Sequence, residues 1–173
     1  ALSEQRFKAL VQEGSDMISI IDSEGKYIYT SPTTTAILGI TPEEFQGKTI
    51  VDFIHPDDAE RCLGYMQKIA TEKKVNVQPF RLKDSKQNWR WIETVLTNMM
   101  DNPIINGFVA NSRDVTESVN ARIQIEKKEQ FNATLLESSP DCYKVLDVEG
   151  RIQYMNYNGL CLMELDDFAA IKN

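Results

Sequence analysis

Trp89-Arg90-Trp91-Ile92-Glu93-Thr94-Val95-Leu96-Thr97-Asn98-Met99, then the turn Asp101-Asn102-Pro103, then residues 104–113 and the exit Asp114-Val115-Thr116-Glu117: the reading of this run decides the fold. Aromatic, β-branched and long apolar side chains crowd its first part as they do in strands. Asp101-Asn102-Pro103 turns the chain, because Pro fixes φ and Asn tolerates turn geometry. Residues 104–113 form a second strand, in which Gly107 permits a bulge or the close approach of another backbone. Neither Gly nor Pro separates that strand from the helical pattern beginning near Asp114, so a stiff strand-to-helix junction is expected.

Upstream, Asp84-Ser85-Lys86-Gln87-Asn88 is the turn into Trp89, and residues 75–83 read as a strand in which Pro79 implies an edge or a bulge. His55-Pro56-Asp57-Asp58 opens a helix to about Thr71, with Pro at its first position and both carboxylates where the macrodipole is positive. Its apolar face is read as Leu63, Met66, Ile69 and Ala70. Thr41-Pro42-Glu43-Glu44 is a capping box for a short helix ending near Gly47, and Ser31-Pro32 opens another that Gly39 closes. Residues 16–22 and 27–31 form a hairpin about Ser23-Glu24-Gly25-Lys26, and residues 2–13 an N-terminal helix.

Downstream, residues 115–138 read as a continuous helix of roughly 36 Å at about 1.5 Å per residue. Val115, Val119, Ile123, Phe131 and Leu135 recur at multiples of four, which drifts on a 3.6-residue helix and is not a strict heptad seam. The opening pattern then returns. Phe131, Ala133, Glu137, Ser139, Asp141, Asp147, Glu149, Gly150 and Tyr154 answer Phe7, Ala9, Glu13, Ser15, Asp16, Asp22, Glu24, Gly25 and Tyr29. That spacing is too long for a solenoid unit and indicates tandem copies of a whole domain, the second broken off after its hairpin and first helices.

Composition narrows the function. A formal charge of −7, with no Lys or Arg cluster free of interleaved acids, argues against nucleic acid. Cys62, Cys142 and Cys161 are an odd number without ligand-like spacing, so neither a disulfide framework nor a zinc site is expected and a reducing, cytoplasmic setting fits. The apolar runs are too short for a membrane span and the first residues lack a signal-peptide pattern, although a parent chain could be membrane-anchored.

These residues in this order resemble the PAS domain family, in the form found in bacterial and archaeal sensor proteins. The resemblance spans residues 3–117 and is carried by Asp22-Ser23-Glu24-Gly25, Ser31-Pro32 with Leu38-Gly39, His55-Pro56-Asp57-Asp58, Trp89-Arg90-Trp91-Ile92-Glu93 and Arg113-Asp114-Val115-Thr116-Glu117. It implies an α+β fold: a five-stranded antiparallel sheet in order 2-1-5-4-3 with helices over one face. Residues 1–117 would be a PAS domain with its N-terminal helix, 115–138 a linker or signalling helix, and 139–173 the incomplete start of a second PAS domain. The resemblance also implies that Asp114, Val115, Thr116 and Glu117 form the signal-transmission motif. Periodicity alone gives only a mixed α+β domain.

The chemistry is sparse. His55 is the only histidine, so no histidine relay, His-rich metal site or phosphoacceptor box can be assembled. Asp57 and Asp58 are explained by their place in a first helical turn. Cys62 lies on the helix where haem-binding relatives carry a ligand, yet no histidine accompanies it. The photoreceptor subgroup's Asn-Cys-Arg-Phe-Leu-Gln stretch is absent, so neither haem nor flavin is expected. Trp89 and Trp91 share one strand face and could line a cavity or simply pack; of Asn111 and Ser112, at most one points under the helices. The ligand-site candidates are therefore Cys62, Trp91 and Asn111. The expected role is a sensory and dimerisation module of a multidomain signalling protein, such as a sensor histidine kinase of a two-component system or a cyclase. Its expected partners are a second copy, adjoining PAS and output domains and an unidentified small ligand. No catalysis is expected in this segment, and a ligand-free structural spacer is the alternative.

Overall fold

In the computed structural model, which describes residues 14–163, β1 (Met17–Ile21) and β2 (Tyr27–Thr30) form the hairpin expected about Gly25. The Asp22 carboxylate accepts from the amides of Glu24 and Lys26 at 2.8 and 2.9 Å, and Gly25 takes the left-handed φ of 83° that closes the turn. The N-terminal helix expected over residues 2–13 lies outside the described residues.

Short helices follow, each stopped by local chemistry. α1 (Pro32–Leu38) starts with Pro at its first position and ends at Gly39, whose φ is 69°. The Ser31 hydroxyl does not cap α1: it accepts from the Ile18 amide at 3.0 Å and so fastens the helix start to β1. α2 (Pro42–Phe45) begins where the Thr41 amide donates to the Glu44 carboxylate at 2.7 Å, and it buries Phe45 against Tyr27 and Phe53. After a 3-10 turn (Ile50–Asp52) comes α3 (Pro56–Ile69). His55 caps it, with Nδ1 accepting from the Asp57 amide at 3.2 Å.

β3 (Lys74–Lys83), β4 (Trp89–Met99) and β5 (Gly107–Asp114) complete an antiparallel sheet in the order β2-β1-β5-β4-β3. Pro79 sits on an edge strand and in a bulge, since the β3–β4 register shifts between Val77 and Phe80. Arg61 of α3 donates to the carbonyls of Gln78 and Pro79 there, supplying the partners the ladder cannot. Gly107 serves close approach rather than a bulge: a Cβ there would lie 2.6 Å from the Ile21 carbonyl oxygen, and β5 pairs without a register shift on both sides.

Two expectations are corrected. β5 begins at Gly107, not Ile104, because the Asn102 carboxamide oxygen accepts from the amides of Ile104 and Ile105 and holds those residues in the turn. Ile104 is 92% exposed. On α3, Leu63 and Ala70 are exposed, and Cys62, Met66 and Ile69 face the sheet instead. The phase comes from the helix start. The Asp58 carboxylate accepts from the Arg81 backbone and Nε, both at 2.9 Å, and Asp58, Cys62, Met66 and Ile69 are successive members of one helical stripe. Burial pushes the Asp58 carboxyl up, but hydrogen bonds and charge from Arg81 outweigh it and hold the group at about 2.

Phe45, Ile69 and Ile92 are the largest fully buried side chains, each contributing roughly 1.5–3 kcal/mol by leaving water. Beyond β5, α4 (Thr116–Ser138) buries none of its residues; Ile125, Phe131 and Leu135 are all more than half exposed. No helix among the described residues is long and apolar enough to cross a membrane.

The chain divides into two compact units, the first ending at Val119 and the second starting at Asn120. The second holds a hairpin, β6 (Lys144–Leu146) and β7 (Ile152–Met155), and the helix α5 (Tyr157–Leu162). Both strands are short, of three and four residues. The hairpin repeats the first one bond for bond. Asp147 accepts from the amides of Glu149 and Arg151, Gly150 has a φ of 84°, and the Asn156 side chain accepts from the Tyr143 amide as Ser31 does from Ile18. Val145 and Leu146 are about half exposed.

Candidate ligand cavity and strand-to-helix junction

The sheet and helices of the first unit enclose a cavity of about 60 Å³. Its walls are mostly aliphatic and aromatic, from Met17 and Ile21 of β1, Leu38 and Phe45 of the short helices, and Ile92 and Leu96 of β4. Among the described residues no charged side chain lines it. The polar atoms are hydroxyls and one thiol: Ser19, Tyr27, Thr34, Cys62, Tyr65, Thr94 and Ser112.

Strand pairing explains this set. Thr94 stands opposite Ser112 in the β4–β5 ladder and their hydroxyl oxygens are 2.7 Å apart. Ser19 stands opposite Ala110, whose small side chain leaves the space open. The Thr30 hydroxyl is the one fully buried polar side-chain atom without a partner among the described residues, and the hydroxyls of Ser19 and Tyr27, cavity-lining residues only 8% and 7% exposed, also enter no hydrogen bond among them. Burial, with a smaller contribution from Cys62, pushes the Tyr27 phenol up, so it stays neutral. Burial also pushes the Cys62 thiol up to about 11, against the opposing charge of Arg61.

Of the residues singled out in the sequence, Cys62 lines the cavity and Trp91 and Asn111 do not. Ile92, Thr94 and Leu96 are the buried members of β4, which turns Trp91 to the other face, where the Arg81 guanidinium lies 5.5 Å from its ring. On β5, Ser112 lines the cavity and Asn111 is exposed. Ser19, Tyr27 and Thr94 were missed. The available signal was the row Met17, Ser19, Ile21, in which one hydroxyl interrupts an apolar strand face. The space is smaller than the roughly 300–1,000 Å³ of pockets that hold drug-sized ligands.

At the junction, Asp114 and Thr116 carry the contacts. The Asp114 carboxylate accepts from the amide and hydroxyl of Thr116, and the Thr116 oxygen in turn accepts from the Trp91 amide at 2.9 Å. Val115 takes part through its backbone, donating to the Trp91 carbonyl at 2.8 Å and accepting from Val119 in the first turn of α4. Glu117 is exposed and makes no side-chain hydrogen bond or ion pair among the described residues. Arg90 spans Asp84 at 3.2 Å and Asp114 at 3.4 Å, and Ser85, beside Asp84, donates its amide to Leu38 of the cavity wall. Asp84 is buried, which pushes its carboxyl up, but the Asn88 amide and Arg90 hold it below the usual range.

Residues 27–105 match the family model of the PAS fold. This segment belongs to the PAS family. Among curated relatives, the blue light receptor lreA of Aspergillus flavus is 29% identical over 87 residues, which cover 50% of this chain and 10% of that protein. The chain spans between 10% and 16% of the length of the first such relatives. Two solved structures are similar in fold. One is the PAS-B domain of Drosophila melanogaster Cycle with bound ethylene glycol (TM-score 0.52, 19% identity, 57% of this chain and 98% of that one). The other is a domain of a sensory box sensor histidine kinase/response regulator from Geobacter sulfurreducens (TM-score 0.56, 18% identity, 65% and 94%). At these identities the likeness is one of fold. The matches include proteins of fungi, animals, bacteria and an archaeon, so they do not single out the bacterial and archaeal form expected from the sequence.

Proposed function

We propose that the chain is a sensory PAS module of a multidomain signal-transduction protein, in which a change in the cavity passes through the sheet into α4. The observation that carries this is the hydroxyl of Thr116. It joins the first residue of α4 to the backbone of β4 at Trp91, one residue from Ile92 and three from Thr94 of the cavity wall. A shift of β4 therefore moves the helix start directly, with no loop to absorb it. The repeated hairpin bonds of the second unit support reading residues 139–173 as the opening of a further PAS domain. The exposed apolar residues of α4 and of β6 support association with a second copy. We place the output, a histidine kinase or cyclase, in other domains of a cytoplasmic bacterial or archaeal protein, and no catalytic step in this segment. The Geobacter neighbour supports the kinase setting.

Inserting two glycines after Val115 tests the reading, since Gly adds backbone freedom where the chain has none. The first unit should stay folded while the parent protein's output ceases to follow the stimulus. Output that still follows it would rule out transmission through Asp114 and Thr116. A second reading, a ligand-free spacer, is favoured by the cavity's small volume of about 60 Å³.

A further inference from the structure

Ser19 and Tyr27, both more than nine-tenths buried, line the cavity, and their hydroxyls have no hydrogen-bond partner among the described residues. Polar groups inside a fold are nearly always hydrogen-bonded, to protein, water or ligand, so two hydroxyls on a cavity wall without a protein partner ask for an occupant. The Thr94–Ser112 pair spends one hydroxyl hydrogen on itself and keeps a second hydrogen and free lone pairs for a guest.

We infer that the cavity takes a small uncharged alcohol or diol, bound through Ser19, Tyr27 and the Thr94–Ser112 pair. This rests on the sensory reading of that cavity and narrows it to a class of ligand. Size comes first: one water needs roughly 10–15 Å³ of such space, so the volume of about 60 Å³ holds a molecule of about four to six non-hydrogen atoms. Charge comes second. Among the described residues no Lys, Arg, His, Asp or Glu lines the cavity, and burial keeps the Tyr27 phenol and the Cys62 thiol neutral, so an ionic ligand would lose its hydration with no counter-charge in return. Hydrogen bonding comes third. Every polar side chain offered is a hydroxyl or thiol able to donate and accept, which a ligand hydroxyl satisfies in either sense. Aliphatic carbon on the ligand would meet Ile21, Ile92 and Leu96.

The test uses the full chain, labelled with ¹⁵N, and three nearly isosteric probes: 1,2-propanediol, lactate and protonated 1-amino-2-propanol. The diol should shift the amides of Ser19, Thr94, Ala110 and Ser112 saturably, in roughly the millimolar range expected of so few atoms. The two ions should bind at least about tenfold more weakly. Ser19→Ala should weaken the diol by about tenfold, the worth of one hydrogen bond, without lowering the melting temperature. Ser19→Val, which also fills the space, should abolish binding. Equal binding of ions and diol would overturn the ligand class and leave the sensory reading standing. If xenon perturbs these amides but no diol does, the cavity holds water or apolar guests only and the proposal is wrong. If neither xenon nor any probe enters, the sensory reading fails with it and the spacer reading takes its place.

Discussion

Thr116→Val should loosen the tie between β4 and α4 while keeping the side chain's shape. The Trp91 amide, now bonded at 2.9 Å, would be left half-buried without a partner, at a cost of about 1–2 kcal/mol. The hydroxyl's bond to the Asp114 carboxylate would also go, costing about 1 kcal/mol, because Asp114 keeps the Thr116 amide and Arg90. The sum is roughly 2–3 kcal/mol, or a fall of about 1–2 M in urea midpoint. Both tryptophans of the chain lie in β4, so their emission during a urea titration reports the first unit alone and escapes the mixing that a two-unit chain would otherwise bring. Amide exchange should quicken at Trp91 and Val119, and Thr116→Ser, which keeps the oxygen, should recover most of the loss. A valine variant within about 0.5 kcal/mol of the parent, with unchanged exchange at Trp91, would refute the assigned role of the hydroxyl.

Two further outcomes follow from named contacts. Asp58 is held at about 2, below its unfolded value of roughly 3.9, so its contribution of roughly 2 kcal/mol is complete above about pH 5 and is lost as pH falls from about 4 to 2; Asp58→Asn should flatten that acid limb in denaturation midpoints measured between pH 2 and 6. Gly107→Ala should cost about 1–3 kcal/mol, since its Cβ would meet the Ile21 carbonyl at 2.6 Å, whereas Gly64→Ala on open α3 surface should stabilise by up to about 1 kcal/mol; thermal melts of the two variants shifting in the same direction would contradict this.

What the sequence determined by itself was local and periodic. Asp22 and Gly25 make their turn from their own carboxylate and left-handed φ, Pro32 and Gly39 bound a helix, and Pro79 excludes a central strand position, all without help from distant residues. Even the second hairpin repeats these bonds because the same residue types recur at the same spacing. The strand order 2-1-5-4-3 was legible only through the family resemblance, since alternation says nothing about which strands pair. Phase belonged to the tertiary structure. A strand reading Trp91-Ile92-Glu93-Thr94-Val95-Leu96 has large apolar side chains on both faces, and only the packing of the helices against Ile92, Thr94 and Leu96 chose which was inside. In the same way Ser112 rather than Asn111 met the cavity, and the Asp58–Arg81 clamp turned Cys62 inward and Leu63 out. Period is written in one segment, but which face meets the core depends on partners up to tens of residues away, so the hydroxyl-lined cavity became visible only once the sheet was assembled.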